Sequence, residues 1–156
     1  MRLGVTGHQN IPRAAISYVE REFAPTIIQQ GATAGVSSLA KGADQLFAEA
    51  ILQAGLPLEV VIPCDRYEST LVDPSDRACY RVLLSRAATA ETLPFRKPSE
   101  EAFYAAGKRI VDISDVLVAV WDGKPAGGLG GTSDIVAYAK RKRRRIVVIW
   151  PPGVHR

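Results

Sequence analysis

The chain has 156 residues, of which 47% are hydrophobic, and carries a formal net charge of +4. This composition suits one domain that buries a hydrophobic core, and no apolar run approaches the ~20 residues of a membrane span. The N-terminus reads as a short strand and a glycine turn rather than a signal peptide, and Cys64 and Cys79 indicate neither a disulfide framework nor a metal site. We therefore expect one cytoplasmic domain over residues 1–156, with no membrane segment, metal or cofactor.

Strands and helices alternate through the first half of the chain. An apolar strand at residues 2–6 precedes a helix from Pro12 to about residue 30, whose apolar residues recur at helical spacing. A second strand at 32–38 is followed by a helix over about 43–54 that Gly55 ends. The third predicted strand is "LEVVIP", residues 58–63.

The second half keeps the same alternation after an irregular stretch. A helix is predicted to end near residue 87, and "ETLPF", residues 91–95, has the pattern of a short edge strand. The remaining predicted elements are a helix over 99–113, a strand over 116–121, a helix over 132–142 and a strand over 146–150.

The main strands are continuous apolar runs, which is typical of a parallel sheet covered by helices on both faces. Right-handed crossovers predict a three-layer, doubly wound, Rossmann-like α/β fold, with its five main strands in the order 3-2-1-4-5. The winding then reverses between the first and fourth strands. Ligands of such sheets bind at the carboxyl ends of the strands beside this switch point.

Three loops rich in Gly, Ser, Thr, Asn and Asp are predicted to meet at that edge. They are "TGHQN" at 6–10, "SSLAKGAD" at 37–44, and the glycine loop that follows the strand over 116–121. Each precedes a helix, and a helix N-terminus offers unpaired N–H groups and partial positive charge to a phosphate. Bare glycine backbone lets those N–H groups approach an anion closely. We therefore predict a site for a nucleotide-like small molecule.

The predicted ligand contacts come from all three loops. They are Gly7 and His8 in the first loop; Ser37, Ser38, Lys41, Gly42 and Asp44 in the second; and Asp122, Gly127, Gly128, Gly130, Gly131, Thr132 and Asp134 around the third. Other roles are open for some of them. His8 fits an ordinary turn, Lys41 fits a solvated surface, and Ser37, Ser38 and Asp44 fit helix capping.

Several segments resemble the SLOG superfamily, which joins the Rossmann domain of DNA-processing protein A (Smf) to the Lonely guy (LOG) proteins. They are "GVTGH", "SSLAKGADQLFAEAILQAG", "ISDVLVAVWDG" and "GGLGGTSD". Ser38, Ala40, Gly42 and Asp44 are similar to the motif S-G-x-A-x-G-x-D, with Leu39 intervening. The resemblance covers nearly the whole chain in element order. It implies a Rossmann-like fold, a nucleotide-derived ligand over the glycine loop, and frequent homodimers.

The hydrolase motif of the LOG proteins, P-G-G-x-G-T-x-x-E, is matched only in part. Gly127, Gly128 and Gly130 match its glycines, whereas Gly131 takes the place of its Thr, Thr132 comes one position late, and Asp134 replaces its Glu. Ala126 stands at the Pro, and Ala106 stands where the resemblance places an upstream Arg. The resemblance thus implies the phosphate cradle, with Asp134 as the candidate catalytic carboxylate of an alternative phosphoribohydrolase.

A second resemblance is to the nucleoside 2-deoxyribosyltransferases. It rests on "WDG", which contains Asp122, followed by "GGTSDIVAYA". That group uses a glutamate nucleophile, and no glutamate lies near Thr132. This enzyme class is kept as an alternative that would also act on an N-glycosidic bond.

The positive charge of the chain is concentrated in "KRKRRR", residues 140–145. This run carries six of the positive charges, so the rest of the chain has a net charge of −2. We interpret the run as solvated cations that favour the C-terminal end of a helix dipole. The alternative is a nucleic-acid-binding module, which generally needs stacking aromatic residues beside the basic groups.

The helix over residues 99–113 predicts self-association. Phe103, Ala106, Ile110 and Val111, together with small residues, make it apolar over a wide arc. An exposed apolar surface of this kind tends to mark an interface between subunits. We therefore expect a homodimer or a higher homo-oligomer.

Overall fold

The residues that the structure describes form six strands and five helices, which alternate along the chain. The structure is a computed structural model that describes residues 1–125 and 129–156. The strands are β1 (Arg2–Gly7), β2 (Ala34–Ser37), β3 (Leu58–Ile62), β4 (Thr89–Thr92), β5 (Val116–Val120) and β6 (Arg145–Ile149). The helices are α1 (Arg13–Gln29), α2 (Ala43–Gln53), α3 (Pro74–Ser85), α4 (Glu100–Ile113) and α5 (Thr132–Arg141). A 3-10 turn, Tyr67–Thr70, lies in the irregular stretch before α3.

All strand pairs are parallel, and the sheet order is β4-β3-β2-β1-β5-β6. The predicted fold class is confirmed, and the five main strands lie in the predicted order. The predicted order 3-2-1-4-5 lacked the sixth strand, β4, which extends the sheet beyond β3. It forms slightly before "ETLPF", with Thr92 beside Ile62, and all four of its residues are exposed. The winding reverses between β1 and β5 as predicted.

Helices cover both faces of the sheet. On one face α2 packs against both α1 and α3, and on the other face α4 packs against α5. The first layer is centred on the edge-to-face pair of Phe23 and Phe47, whose ring centroids lie 5.7 Å apart. The second layer brings Ile110 of α4 and Ile135 of α5 onto Leu117. Both layers leave the carboxyl edge of the sheet to the βα loops.

Most of the apolar arc of α4 is buried within the chain itself, and Phe103 is half-buried in the wall of a pocket. Ala102, Ala106, Ile110 and Val111 are all at most 2% exposed. Packing against the sheet and α5 therefore accounts for the feature from which self-association was predicted, and self-association stays a prediction. Within the described ranges, each helix is too short or too polar to cross a bilayer.

Candidate functional site

A large open pocket lies at the carboxyl edge of the sheet. Its volume is about 1180 Å³, and its wall includes Gly7 at the end of β1 with His8 after it, Ser38 and Lys41 after β2, and Gly131 before α5. Parallel strands deliver all their βα loops to one edge, which is why residues distant in sequence line one cavity. The pocket thus lies beside the predicted switch point.

The helices that face this pocket begin in two different ways. In α3 and α4, the side chains of Asp73 and Ser99 accept hydrogen bonds from first-turn N–H groups, at 2.9 and 3.0 Å. In contrast, α2 and α5 begin at Gly42 and Gly131, which have no side chain to cap the helix. Backbone groups at the starts of α2 and α5 are therefore not covered by the residue that begins the helix.

The loops after β1 and β2 pack backbone against backbone. Gly42 has φ +83°, and a Cβ built there would lie 2.4 Å from the carbonyl oxygen of Gln9. The N–H of Ala43 donates to the carbonyl of His8 at 3.2 Å, and a Cβ at Gly7 would lie 2.4 Å from the Cβ of Ala43. Gly7 and Gly42 therefore allow the two loops to join, a packing role that the sequence interpretation did not contain.

The two serines after β2 have different surroundings. The hydroxyl of Ser37 accepts from the N–H of Leu39 at 3.1 Å and donates to the carbonyl of Asp44 at 3.0 Å. Ser37 is fully buried and lies outside the pocket wall. Ser38 does line the pocket, and its buried Oγ has no hydrogen-bond partner among the described residues.

Asp44 places a buried carboxylate in the pocket wall. The residue is 9% exposed, and Oδ2 accepts one hydrogen bond, from the N–H of Ala40 at 3.3 Å. Burial raises the pKa of Asp44 to about 7, because removal from water disfavours the ionised form more than this hydrogen bond favours it. The charge of Asp44 in turn adds to the burial that raises the pKa of Tyr67, another residue of the wall.

His8 is held between two charged residues. Its Nε2 lies 3.1 Å from the backbone nitrogen and 3.3 Å from Oδ1 of Asp122, and its Nδ1 lies 3.1 Å from Nη1 of Arg156. The ring of Trp150 meets it edge to face at 5.3 Å. Burial lowers the pKa of His8, and the charge of Arg156 lowers it further. Asp122 and Arg156 contact the two ring nitrogens of His8, so the imidazole helps to hold Arg156 at the pocket wall.

Asp122 lies behind the pocket wall. Its Oδ2 is 3.3 Å from Nε of Arg156, and its Oδ1 accepts from the N–H of Lys124 at 3.0 Å. Although burial opposes ionisation, that hydrogen bond, His8 and Arg156 hold the pKa of Asp122 below its ordinary value. Asp122 therefore anchors Arg156, the cation that the sequence interpretation missed.

The end of the glycine loop packs on α4 and leads into α5. Gly130 has φ +85°, and a Cβ there would lie 3.0 Å from the backbone nitrogen of Tyr104. Thr132 is buried and lines the pocket together with Gly130 and Gly131. Oδ2 of Asp134 accepts from the N–H of Gly130 at 3.0 Å, and Asp134 is outside the pocket wall. The predicted contacts Gly127 and Gly128 lie outside the described residues.

The pocket wall contains more carboxylates than cations, and it also has an aromatic side. Lys41 and Arg156 are its cations, whereas its carboxylates are those of Asp44, Asp73, Asp76 and Glu100. Tyr67 and Phe103 add an aromatic side, with ring centroids 6.2 Å apart. Most of these residues follow β3 or begin α3 and α4, segments in which the sequence interpretation sought no ligand contacts.

The basic run lies at the other end of α5 from the pocket. It begins in the last turn of the helix, and Lys142 and Arg141 approach the ring of Tyr138 at 5.7 and 5.8 Å. Lys108 of α4 lies 4.6 Å from the ring centroid of Tyr104 and 6.0 Å from that of Tyr138. We call Tyr104, Lys108, Tyr138, Arg141 and Lys142 the α4–α5 face. Tertiary packing thus adds aromatic rings that the run itself lacks.

Comparison with known proteins supports the fold. No protein-family model matches the chain, and no curated protein sequence gives a significant match. DNA processing protein A from Streptococcus pneumoniae superposes with a TM-score of 0.70 at 18% identity, over 94% of this chain and 49% of that protein. The Helicobacter pylori protein of the same name gives 0.69 at 17% identity, over 95% of this chain and 64% of that one. The chain therefore spans about half to two thirds of their lengths.

A third solved structure shares the architecture. The molybdenum cofactor binding protein from Rippkaea orientalis superposes with a TM-score of 0.56 at 17% identity, over 94% of this chain and 74% of that one. At these identities the agreement concerns the backbone arrangement, which the parallel sheet and its switch point had already indicated. The chain has the Rossmann-like fold that these structures share.

Proposed function

We propose that the chain binds a nucleotide or a nucleotide-derived small molecule in the pocket at the carboxyl edge of the sheet. The observation that carries the proposal is that α5 begins in the pocket wall, at Gly131, without a side-chain cap. A helix N-terminus combines partial positive charge with unpaired N–H donors, and both suit a phosphate. The other two helices whose first residues line the pocket, α3 and α4, are capped by their own side chains.

The charges of the residues that line the pocket favour a nucleotide with one phosphate over a nucleotide with several. Arg156 and Lys41 are opposed by four carboxylates, so a triphosphate would bring a large negative charge into a wall that is already acidic. The aromatic side formed by Tyr67 and Phe103 suits a base or another flat apolar group. We therefore expect nucleoside monophosphates to bind more tightly than the corresponding triphosphates.

Calorimetry and thermal unfolding with the mono- and triphosphates of adenosine, guanosine, cytidine and uridine test the proposal. At least one monophosphate should raise the unfolding temperature, because a ligand at 100 times its Kd adds about 2.7 kcal/mol to the free energy of unfolding. Arg156→Gln should weaken that binding about tenfold or more, since it removes a cation from the pocket wall. Arg86→Gln is the matched control, because Arg86 lies at the opposite, C-terminal end of α3. A panel without any binder would refute the proposal.

The hydrolase alternative depends on Asp134. Its carboxylate accepts a hydrogen bond within its own loop and lies outside the pocket wall. General acid–base catalysis requires the carboxylate to reach the reacting atom. This geometry supports a role for Asp134 in shaping the loop, and our proposal is therefore one of binding.

A second candidate function, binding of single-stranded nucleic acid, is favoured by the α4–α5 face. Three cations lie within 6.0 Å of the ring of Tyr138, and none of the three forms an ion pair with a carboxylate among the described residues. Basic groups beside aromatic rings are the usual elements of a surface for single strands. The Helicobacter pylori structure concerns a protein with a single-stranded DNA binding mode.

Fluorescence anisotropy with a labelled oligothymidine tests this second candidate. Binding should weaken steeply with salt, with a slope of about −0.7 in log–log units for each phosphate neutralised. Tyr138→Leu should reduce affinity and leave the slope nearly unchanged, whereas Arg141→Gln should also make the slope shallower. Arg13→Gln, an exposed change on α1, is the control. Equal affinity for Tyr138→Leu and the parent would rule out this face as a stacking surface.

A further inference from the structure

Two polar side chains, one directly after β2 and one in the first turn of α2, have fewer hydrogen bonds than buried groups ordinarily have. The Oγ of Ser38 is buried without a hydrogen bond among the described residues, and Ser38 is 8% exposed. The carboxylate of Asp44, 9% exposed, has one hydrogen bond, from the N–H of Ala40, and no cation within 4.0 Å in the described ranges. Both residues line the pocket.

Such groups weaken the folded chain unless something else satisfies them. A buried hydroxyl without a partner and a buried carboxylate with one hydrogen bond have both given up water without full replacement. Nearly all buried polar groups in folded proteins are paired, so each exception requires an explanation. Ser38 is such an exception, and Asp44, with its single hydrogen bond, lines the same cavity. A ligand that enters the cavity is the simplest source of a partner for Ser38 and of further hydrogen bonds for Asp44.

The chemistry of Ser38 and Asp44 excludes the phosphate end of a ligand from their part of the pocket. A carboxylate accepts hydrogen bonds and repels anions, and Asp73 and Asp76 add further negative charge to the same wall. A group that donates to Asp44 and also exchanges a hydrogen bond with Ser38 is required. A pair of neighbouring hydroxyls meets both needs without carrying charge, whereas a phosphate could accept from Ser38 but would be repelled by the carboxylate of Asp44.

We propose that Ser38 and Asp44 form a subsite for the ribose hydroxyls of the nucleotide. This inference rests on the proposed function and assigns the orientation of the ligand in the pocket. The ribose lies at the start of α2, and the phosphate lies toward Gly131 and Arg156. A carboxylate that follows the second strand and bonds a ribose hydroxyl is a recurrent solution in doubly wound sheets.

The first test compares nucleotides that differ only in one hydroxyl. The ribonucleoside monophosphate that binds most tightly is titrated beside its 2′-deoxy and 3′-deoxy forms. At least one deoxy form should bind about tenfold more weakly, because a hydrogen bond to a charged group is lost and Asp44 is left unsatisfied. In Asp44→Asn, the penalty for the missing hydroxyl should shrink to about threefold or less.

The second test separates ligand binding from folding. Ser38→Ala removes a hydroxyl that has no partner in the described chain, so the variant should unfold at the same temperature as the parent or higher, and yet bind the ribonucleotide several-fold more weakly. Ser114→Ala is the matched control, because Ser114 also has a buried unpaired Oγ and lies at the opposite edge of the sheet, before β5. Ser114→Ala should leave affinity unchanged.

The possible failures are distinguishable. If a ribonucleotide binds and both deoxy forms bind equally well, the subsite is overturned and the proposed function stands. If Ser38→Ala folds and binds like the parent, the subsite is overturned as well. If no nucleotide binds at all, the proposed function fails and the subsite fails with it.

Discussion

Replacement of Asp44 by Asn should stabilise the protein, and by more at alkaline than at acidic pH. Asp44 is 9% exposed, and burial raises its pKa to about 7 from an ordinary value of 3.8. Below about pH 3 the carboxyl is protonated in both the folded and unfolded chains. As pH rises to about 7, the unfolded chain loses the proton first, so the folded state of the parent becomes progressively less stable.

The magnitude follows from the difference between the two pKa values. Each pKa unit corresponds to about 1.36 kcal/mol, so the pKa of about 7 for Asp44 implies a total cost of up to about 4 kcal/mol once the carboxyl is ionised. About 2 to 3 kcal/mol of this should develop between pH 5 and pH 8. The amide introduced by Asp44→Asn would not titrate, and its oxygen can still accept from the N–H of Ala40.

The assay is urea unfolding of the parent and Asp44→Asn at pH 5, 6, 7 and 8, followed by tryptophan fluorescence. The quantity of interest is the difference in free energy of unfolding at each pH, because other titrating groups such as His8 are common to both proteins and cancel. Asp73→Asn is the control, because hydrogen bonds from Ser75 lower the pKa of Asp73 below its ordinary value of 3.8. Its difference from the parent should therefore stay flat from pH 5 to pH 8, because the contribution of Asp73 is lost only at more acidic pH.

A difference between Asp44→Asn and the parent that stays flat from pH 5 to pH 8 would refute the reasoning. It would mean that the carboxylate ionises at its ordinary pKa, and therefore that water reaches it freely in the folded protein. The same result would weaken the ribose subsite, which depends on a carboxylate that is short of partners. A difference that grows as predicted would show that the chain keeps a destabilising group at this position.

Further outcomes are expected. Gly131→Val should abolish nucleotide binding in calorimetry with the fold retained, because φ −69° at Gly131 suits any residue; Gly130→Val should instead lower the unfolding temperature, because φ there is +85°. Replacement of the three arginines at 143–145 by Gln should leave nucleotide affinity unchanged. The length of α5 places them about 15 Å from the pocket, which exceeds a Debye length of about 8 Å. A loss of affinity would contradict this placement. The parent should release no free base from AMP in a chromatographic assay. Asp134→Asn should lower the free energy of unfolding by on the order of 1 kcal/mol, as measured by urea unfolding. Release of base by the parent that is abolished in Asp134→Asn would favour the hydrolase. Light scattering at micromolar concentration should give a mass above that of one chain, and a clean monomer would refute self-association.

Much of the fold could be predicted because its signals are local. The apolar runs at 58–63 and 116–121 lack the alternation expected of a sheet with one face exposed to solvent. The helices between the strands are bounded by residues such as Pro12 and Gly55. A parallel sheet with right-handed crossovers then leaves few arrangements of the strands. The strand β4 was harder to place, because its four exposed residues carry no apolar pattern.

The candidate site could be predicted only as a region. Parallel strands send their loops to one edge, so the approach of Gly7, Ser38 and Gly131 to one cavity follows from strand direction alone. The roles of the individual side chains do not follow. Ser37 and Ser38 are adjacent and identical, yet one is hydrogen-bonded on both sides and the other has no partner in the described chain.

The sequence by itself determined the parallel α/β architecture, the switch point and the edge at which the loops gather, because periodicity and chain direction are properties of neighbouring residues. The tertiary structure alone decided that Arg156 returns to His8 across most of the chain, that the carboxylate of Asp44 is buried, and that Lys108 joins Tyr138 on the α4–α5 face. Those outcomes depend on how distant segments pack, and on the water that this packing removes from each polar group. A linear pattern of residues specifies neither quantity.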